Sequence, residues 1–404
     1  MPAPRAADSI ACLATRFSYH SGRKRGFAIS LVRSVGARLL DAVALSTSAE
    51  AREFLKDSVL RDFSYAHGLS KNLGPPKVYN LETTNHCPYK CIMCPRTYDM
   101  TRSLGHMDFG MFKDIVDQLR PAWQKESVRT PPTLQLLHFG EPMVYPHFKE
   151  SVEYCHERGF AVYVSTNPSV WTDRRIDEIL ESQLDDLWVM VDGMDDETSM
   201  AIRGPAASFV RGERNLRELA KRKVERGLTK PRIAVQMIRQ ARNQHQWGLF
   251  RVYWKDIPGI DGAYLDYFST FSGATDSINS IASELATSDK EQEAELARRQ
   301  YLAEFPCVYP WHSVSVTWQG KVVPCCRDVN EAVVLGDLTR DSLKKIWNDE
   351  PIQRLRREFV SRDVVTPLCS SCTENSLEVG LPKHYPATTV ITLRTAAQRA
   401  DSPA

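Results

Sequence analysis

The sequence has almost no net charge to read: 52 basic and 50 acidic residues leave it at +2. That balance gives no reason to expect a nucleic acid, an anionic membrane or an acidic polymer as partner. It also lacks an uninterrupted apolar run long enough to span a bilayer. The nearest stretch, "GFAISLVRSVGARLLDAVALS" at 26–46, is broken by Arg33, Arg38 and Asp41. Its basic amphipathic pattern would suit a transit or membrane-surface segment. No cleavage-like pattern follows it, so a helix packed on the main domain is expected and the protein reads as cytoplasmic. Ten cysteines in 404 residues are too few for a disulfide scaffold. They cluster instead, at 87, 91 and 94, at 325 and 326, and at 369 and 372. Clustering of that kind points to metal ligation. No internal repeat is present either, and the length leaves room for one large domain and a smaller one.

What is present is a rhythm. Residues 1–76 read as mostly helical, and "LGPP" at 73–76 breaks the chain. Short apolar or β-branched runs then recur at 77–84, 133–139, 160–166, 186–191, 232–238 and 262–268. Helix-like segments such as "DFGMFKDIVDQLRP" and "PHFKESVEYCHERG" lie between them, the second closing at Gly159. Six strands alternating with helices predict an α/β fold with a parallel sheet, an incomplete (β/α)6 TIM barrel over 77–270. A polar stretch at 271–299 reads as a linker. A second unit is expected over 300–384, with a hairpin from "VSVTW" and "KVVPC" around "QG", before a flexible tail at 385–404.

The first predicted strand runs straight into "CPYKCIMC", where Cys87, Cys91 and Cys94 have no fourth cysteine nearby. In a β/α barrel, the loops after the strand C-termini hold the chemistry. Three thiolates can hold three irons of a cubane and leave the fourth open for another ligand. The alternative is a zinc site in which Cys91 and Cys94 pair with a distant couple such as Cys369 and Cys372.

"CPYKCIMC" resembles the CxxxCxxC signature of the radical S-adenosylmethionine (SAM) superfamily. That resemblance implies a [4Fe–4S] cluster on the three cysteines, with SAM on its open iron. It also implies reductive cleavage of SAM to a 5′-deoxyadenosyl radical that abstracts a substrate hydrogen atom. The residue before the last cysteine is commonly aromatic in the family, and here it is Met93. "HFGEP" at 138–142 resembles the family's GGEP motif, which makes Gly140, Glu141 and Pro142 candidates for SAM binding, with Phe139 in place of the first glycine. "VSTNPS" at 164–169 offers Ser165 and Asn167 near ribose and methionine. "AIRG" offers Arg203 as a partner for the SAM carboxylate. His86 and His138 flank the expected site, each as a hydrogen-bonding residue or a substrate contact.

Further on, Cys307 precedes Gly320 by twelve intervening residues, four more lead to Cys325, and "LCSSC" supplies Cys369 and Cys372. Four cysteines so placed can close one cluster or one structural zinc. The opening resembles the SPASM and twitch extensions of radical SAM enzymes, which implies a second, auxiliary [4Fe–4S] cluster on Cys307, Cys325, Cys369 and Cys372. The Gly-x4 spacing favours Cys325 over Cys326. Cys155 reads as a small buried apolar residue in a helix.

The expected activity is therefore a redox, dehydrogenase-like modification of a small natural-product or carbohydrate-like molecule. The auxiliary cluster would accept the electron, and a flavodoxin or ferredoxin would act as reductant. The alternatives are a peptide-modifying maturase (epimerase or cross-linking) and, in another class, a zinc-binding interaction protein.

Overall fold

The computed structural model of the protein describes residues 60–76, 78–119, 132–267, 307–370 and 372. The expectations for the N-terminal segment up to residue 59, the linker at 271–299 and the tail at 385–404 lie outside the described residues. All of the described residues belong to a unit that begins at Asp57.

Six parallel strands form where the β-branched runs predict them. They are β1 (Val78–Leu81), β2 (Thr133–Gln135), β3 (Ala161–Thr166), β4 (Asp186–Met190), β5 (Arg232–Arg239) and β6 (Gly262–Tyr267). Each pairs parallel with the next, so sequence order equals spatial order. This is the partial (β/α)6 barrel.

The crossover helices show the expected 3.6-residue stripe. Helix Phe109–Leu119 buries Phe112, Ile115, Val116 and Leu119, at offsets of three, four and seven. Side-chain caps fix several helix starts. The Thr172 hydroxyl accepts from Arg175 N, Asp195 from Thr198 N and Ser208 from Arg211 N. Helix Phe148–Glu157 stops at Gly159, whose φ of 79° suits a residue without Cβ.

Along each strand, residues alternate between two environments. Leu187 and Val189, Ile233 and Val235, and Val162 and Val164 pack with the helices in the main apolar core. Their neighbours face the other way, into the concave side of the sheet.

The expected hairpin forms from β7 (Ser313–Val316) and β8 (Lys321–Val323), and a short β9 (Gly336–Asp337) joins it. Spacing gave no sign that β7 pairs parallel to β1, from Val78↔Ser313 to Leu81↔Val316. The result is one nine-stranded sheet in the order β6-β5-β4-β3-β2-β1-β7-β8-β9. The segments that carry both cysteine groups therefore hang on one sheet. Residues 60–76 lie against the C-terminal part. Asn72 Nδ2 donates to Trp311 O at 2.8 Å, and Trp347 Nε1 donates to Gly74 O at 2.8 Å.

Candidate active site

The loop after β1 is pinned from three sides. Lys90 N donates to Arg203 O at 3.0 Å and Ile92 N to Ile202 O at 2.9 Å, which ties the cysteine loop to the end of helix Asp196–Arg203. The Tyr89 hydroxyl lies 3.0 Å from Ser169 Oγ and donates to Asn167 O at 3.2 Å, tying the loop to the end of β3. On the third side, Glu141 N donates to His86 O at 2.9 Å. A Cβ on Gly140 would lie 2.0 Å from Thr84 O, so only glycine lets this turn approach the cysteine loop.

Cys87, Cys91 and Cys94 are thereby gathered into a small apolar cluster with Tyr89, Met93, Ile202 and Ala207. Met93 is buried within it. Burial pushes the thiols of Cys87 and Cys94 up to about 12 and raises that of Cys91 as well. Bare thiolates are costly there, and positively charged irons would offset that cost, so the donor set fits a cluster. Among the described residues, no three histidine, cysteine or acidic side chains converge on a point that one ion could fill. A cubane does not ask for that, since its thiolates attach to different irons.

Glu141 is the carboxylate of the site. It is 4% exposed and accepts from Thr166 Oγ1 at 2.5 Å, from Asn167 N at 3.1 Å and from Met143 N at 3.1 Å. Burial outweighs these bonds and raises its carboxyl to about 7. Among the described residues it forms no ion pair, so a bound ammonium fits the chemistry left open.

Arg203 points its Nε to Asp192 at 2.5 Å and its Nη1 to Cys91 Sγ at 3.7 Å. Asp192 in turn accepts from Ile238 N at 2.7 Å. Arg203 is thus a fixed cation beside the triplet, and Asp192 keeps it charged against the effect of burial. Sequence reasoning missed Asp192. Its place in "VMVDG", at the end of β4, was the available signal.

The remaining candidates separate. Asn167 is occupied by its own turn: Oδ1 accepts from Ser169 N at 3.0 Å and Nδ2 donates to Met190 O at 3.3 Å. Ser165 stays half-buried on β3, and its side chain hydrogen-bonds the Tyr163 hydroxyl. A cleft lined by Asn167, Met190, Asp192, Arg203 and Phe209 opens beside these groups. Pro142 begins the short helical turn after Glu141. The His86 ring packs tilted against His106, with ring centroids 4.6 Å apart. The His138 side chain is 1% exposed and sits against Glu82, its Nδ1 3.5 Å from Oε1. Cys155 is fully buried in the core, as expected.

The second cysteine group also comes together. Cys307 interacts electrostatically with Cys372 and Cys326, and Cys325 with Cys326, Cys307 and Cys369. Burial raises each of Cys307, Cys325 and Cys369, the first to about 12. These cysteines too form a donor set that a cluster would fit. Cys326 Sγ lies 3.5 Å from the hydroxyl of half-buried Tyr309. Glu358 Oε2 accepts from Thr366 N at 2.9 Å and from Thr366 Oγ1 at 2.7 Å, which seats the short helix bearing Cys369.

The model of the radical SAM superfamily matches residues 81–235, the stretch that holds the triplet, the Gly-Glu-Pro turn and Arg203. The chain belongs to the radical SAM superfamily. A second model, the SPASM iron–sulfur cluster-binding domain, matches residues 307–373 and takes in Cys307, Cys325, Cys326, Cys369 and Cys372. The cofactors of this radical SAM enzyme are accordingly SAM, a SAM-binding [4Fe–4S] cluster and an auxiliary cluster.

The tungsten-containing aldehyde ferredoxin oxidoreductase cofactor-modifying protein of Pyrococcus furiosus is 25% identical over 325 residues, covering 74% of this chain and 87% of that protein. The S-adenosylmethionine-dependent nucleotide dehydratase of Selenomonas ruminantium is 26% identical over 124 residues, 30% of this chain and 42% of that protein. SuiB of Streptococcus suis, solved bound to precursor peptide SuiA, superposes with a TM-score of 0.55 at 13% identity. The match covers 83% of this chain and 80% of that one, a likeness of fold. No helix among the described residues is long and apolar enough to cross a membrane.

Proposed function

We propose that this radical SAM enzyme carries out a two-electron oxidation of a small polar molecule, with the auxiliary cluster as electron acceptor and a flavodoxin or ferredoxin as reductant. The single observation that carries the reading is the direct junction between the two cysteine-bearing segments. Strand β7, flanked by Cys307 and Cys325, pairs with β1, which leads into the triplet. The chain just past Cys94 also binds the chain just past Cys326. Thr101 N donates to Asn330 Oδ1 at 2.7 Å, Asn330 Nδ2 to Asp99 O at 2.7 Å, and Arg102 Nε to Val329 O at 2.7 Å.

In this reading Cys87, Cys91 and Cys94 hold the first cluster, and Cys307, Cys325, Cys369 and Cys372 hold the second. When bound, the first cluster and SAM supply a 5′-deoxyadenosyl radical that removes one hydrogen atom from substrate carbon. The residues of the chain do the rest. Glu141 receives the SAM ammonium, and the Gly140 turn brings it to the cysteine loop. Arg203, held by Asp192, faces the SAM carboxylate. Ser165 contributes from β3, Asn167 shapes the turn that carries Ser169, and the apolar cluster around Tyr89 and Met93 keeps water from the reacting carbon. Oxidation then requires the substrate to lose one electron and one proton more, and four protein thiolates leave the second centre no open iron for binding substrate. Electron transfer is the role left to it.

The test is product analysis with Cys307→Ala. Loss of the oxidised product with continued 5′-deoxyadenosine formation supports the reading, and unchanged product would overturn it.

A further inference from the structure

Helix Glu350–Ser361 buries Ile352, Leu355, Arg356 and Glu358. The inner stripe of a helix is ordinarily apolar, and here two of its four residues are charged. Arg356 is 0% exposed. Burial lowers its pKa to about 9, with no carboxylate among the described residues to offset that effect. A guanidinium buried without a counter-ion costs more than an apolar side chain of similar volume. Its retention calls for a task other than stability, and its hydrogen bonds show one.

Arg356 Nε donates to Pro310 O at 2.8 Å, in the turn that follows Cys307. Its Nη1 donates to Ser70 O at 2.8 Å and to Asn348 Oδ1 at 3.1 Å, and its guanidinium lies 4.6 Å from the centroid of the Trp347 ring. Residues two apart on a helix do not share a face, so Glu358 serves another flank. There it accepts both bonds from Thr366, whose carbonyl accepts in turn from Cys369 N at 2.9 Å. One helix thus holds the turn after Cys307 through Arg356 and the turn before Cys369 through Glu358. Residues 69–74 close over the first of these joints. Trp311 Nε1 donates to Leu69 O at 2.9 Å, Asn72 N to Asn348 Oδ1 at 2.7 Å, and Asn348 Nδ2 to Asn72 O at 2.9 Å.

We infer that Arg356 is a positioning residue for the auxiliary cluster: with Glu358 it sets the separation of the Cys307 and Cys369 turns, and residues 69–74 lock that setting. Arginine suits the task because its rigid planar fork bonds two segments at once. An apolar residue would fill the space and tie neither. The cysteine turns come from distant stretches of chain, and a cluster forms only where they meet at the spacing of its irons. Outer partners of this kind, one step removed from the ligands, set how well a metal site holds its metal. This inference rests on the proposed assignment of Cys307, Cys325, Cys369 and Cys372 to the second cluster and deepens it.

The test uses the full chain carrying Cys91→Ala, reconstituted anaerobically, in which bound iron reports the second cluster alone. Adding Arg356→Met should lower that iron roughly tenfold, the scale of losing an outer partner of a metal site. Arg356→Lys keeps the charge and one of the two ties, so its iron should stay within about twofold, with an altered electron paramagnetic resonance line shape after reduction. With Cys91 intact, Arg356→Met should fall from about eight irons to about four, the share of the first cluster. Full iron in Arg356→Met, loss of the first cluster's share as well, or Arg356→Lys no better than Arg356→Met would overturn the inference. Cys307→Ala in the Cys91→Ala chain separates the two claims. If it keeps its iron, the ligand assignment fails. If it loses its iron while Arg356→Met does not, the assignment stands and the positioning role fails.

Discussion

The two Nη atoms of Arg102 each lie 2.9 Å from a different carboxylate oxygen of Glu82, and both side chains are within 5% of complete burial. Glu82 ends β1. Its oxygens also accept from Phe139 N at 3.3 Å, just before the Gly-Glu-Pro turn, and from Trp318 N at 3.1 Å, at the end of β7. Arg102 reaches on to Glu331 at 3.2 Å. This fork fastens the cysteine loop, the Gly-Glu-Pro turn and the C-terminal domain to one point.

Breaking the fork should be costly, because the partner left behind is a buried charge. Arg102→Met is expected to lose roughly 3–5 kcal/mol of stability, read as a lowered urea midpoint. The ion pair also sets an acid limit. Burial alone would raise the Glu82 carboxyl, but the facing His138 ring and the Arg102 fork overcome it and hold it at about 2. A folded pKa below the unfolded one stabilises above the unfolded value, near 4.5, and that support is lost as pH falls toward 2. The contribution is on the order of 3 kcal/mol. Urea midpoints of the wild type should fall over that window. In Arg102→Met the fall should be shallower.

Gly140→Ala places a methyl where Thr84 O already sits, 2.0 Å from the ideal Cβ. Backbone atoms cannot move aside as a flexible side chain would. The turn should therefore separate from the cysteine loop, at a cost of about 3 kcal/mol or more. Loss of 5′-deoxyadenosine formation together with a lowered thermal midpoint is the expected result.

Glu141→Gln keeps the size of the side chain but replaces one of the two accepting oxygens of the turn with an NH2 donor, and in the proposed reading it removes the charge that meets the SAM ammonium. Charge-assisted hydrogen bonds contribute about 1.5–3 kcal/mol, so SAM affinity by equilibrium dialysis should drop at least tenfold. Iron content should stay at the wild-type level, because no cysteine is changed.

In the proposed reading Cys325 is the cluster ligand and Cys326 is not. Cys325→Ala should lower bound iron by about four atoms per chain, and Cys326→Ala should leave it unchanged. The reverse pattern would exchange the two roles.

Much of this architecture was legible in the sequence because local rules govern it. The β-branched runs at 160–166 and 232–238 match β3 and β5 within a residue or two. The triplet announces itself by spacing, and the Gly-Glu-Pro turn by its resemblance to the family's motif. Contacts between distant segments were not legible. Nothing in "SVSV" tells that it pairs with "VYNL" more than 230 residues earlier. Glu82 and Arg102 look like ordinary charged residues until folding buries them against each other, as does Asp192 until it meets Arg203. Asn167 shows the converse, since a residue type suited to a ligand was equally suited to capping its own turn, and the turn took it.

The most direct test of the account is iron and sulfide content beside 5′-deoxyadenosine yield, for the anaerobically reconstituted chain and its Cys91→Ala variant. The account predicts about eight irons per wild-type chain, about four in the variant, and SAM cleavage in the wild type alone. Stoichiometric zinc with little iron, or SAM cleavage that survives in Cys91→Ala, would contradict it.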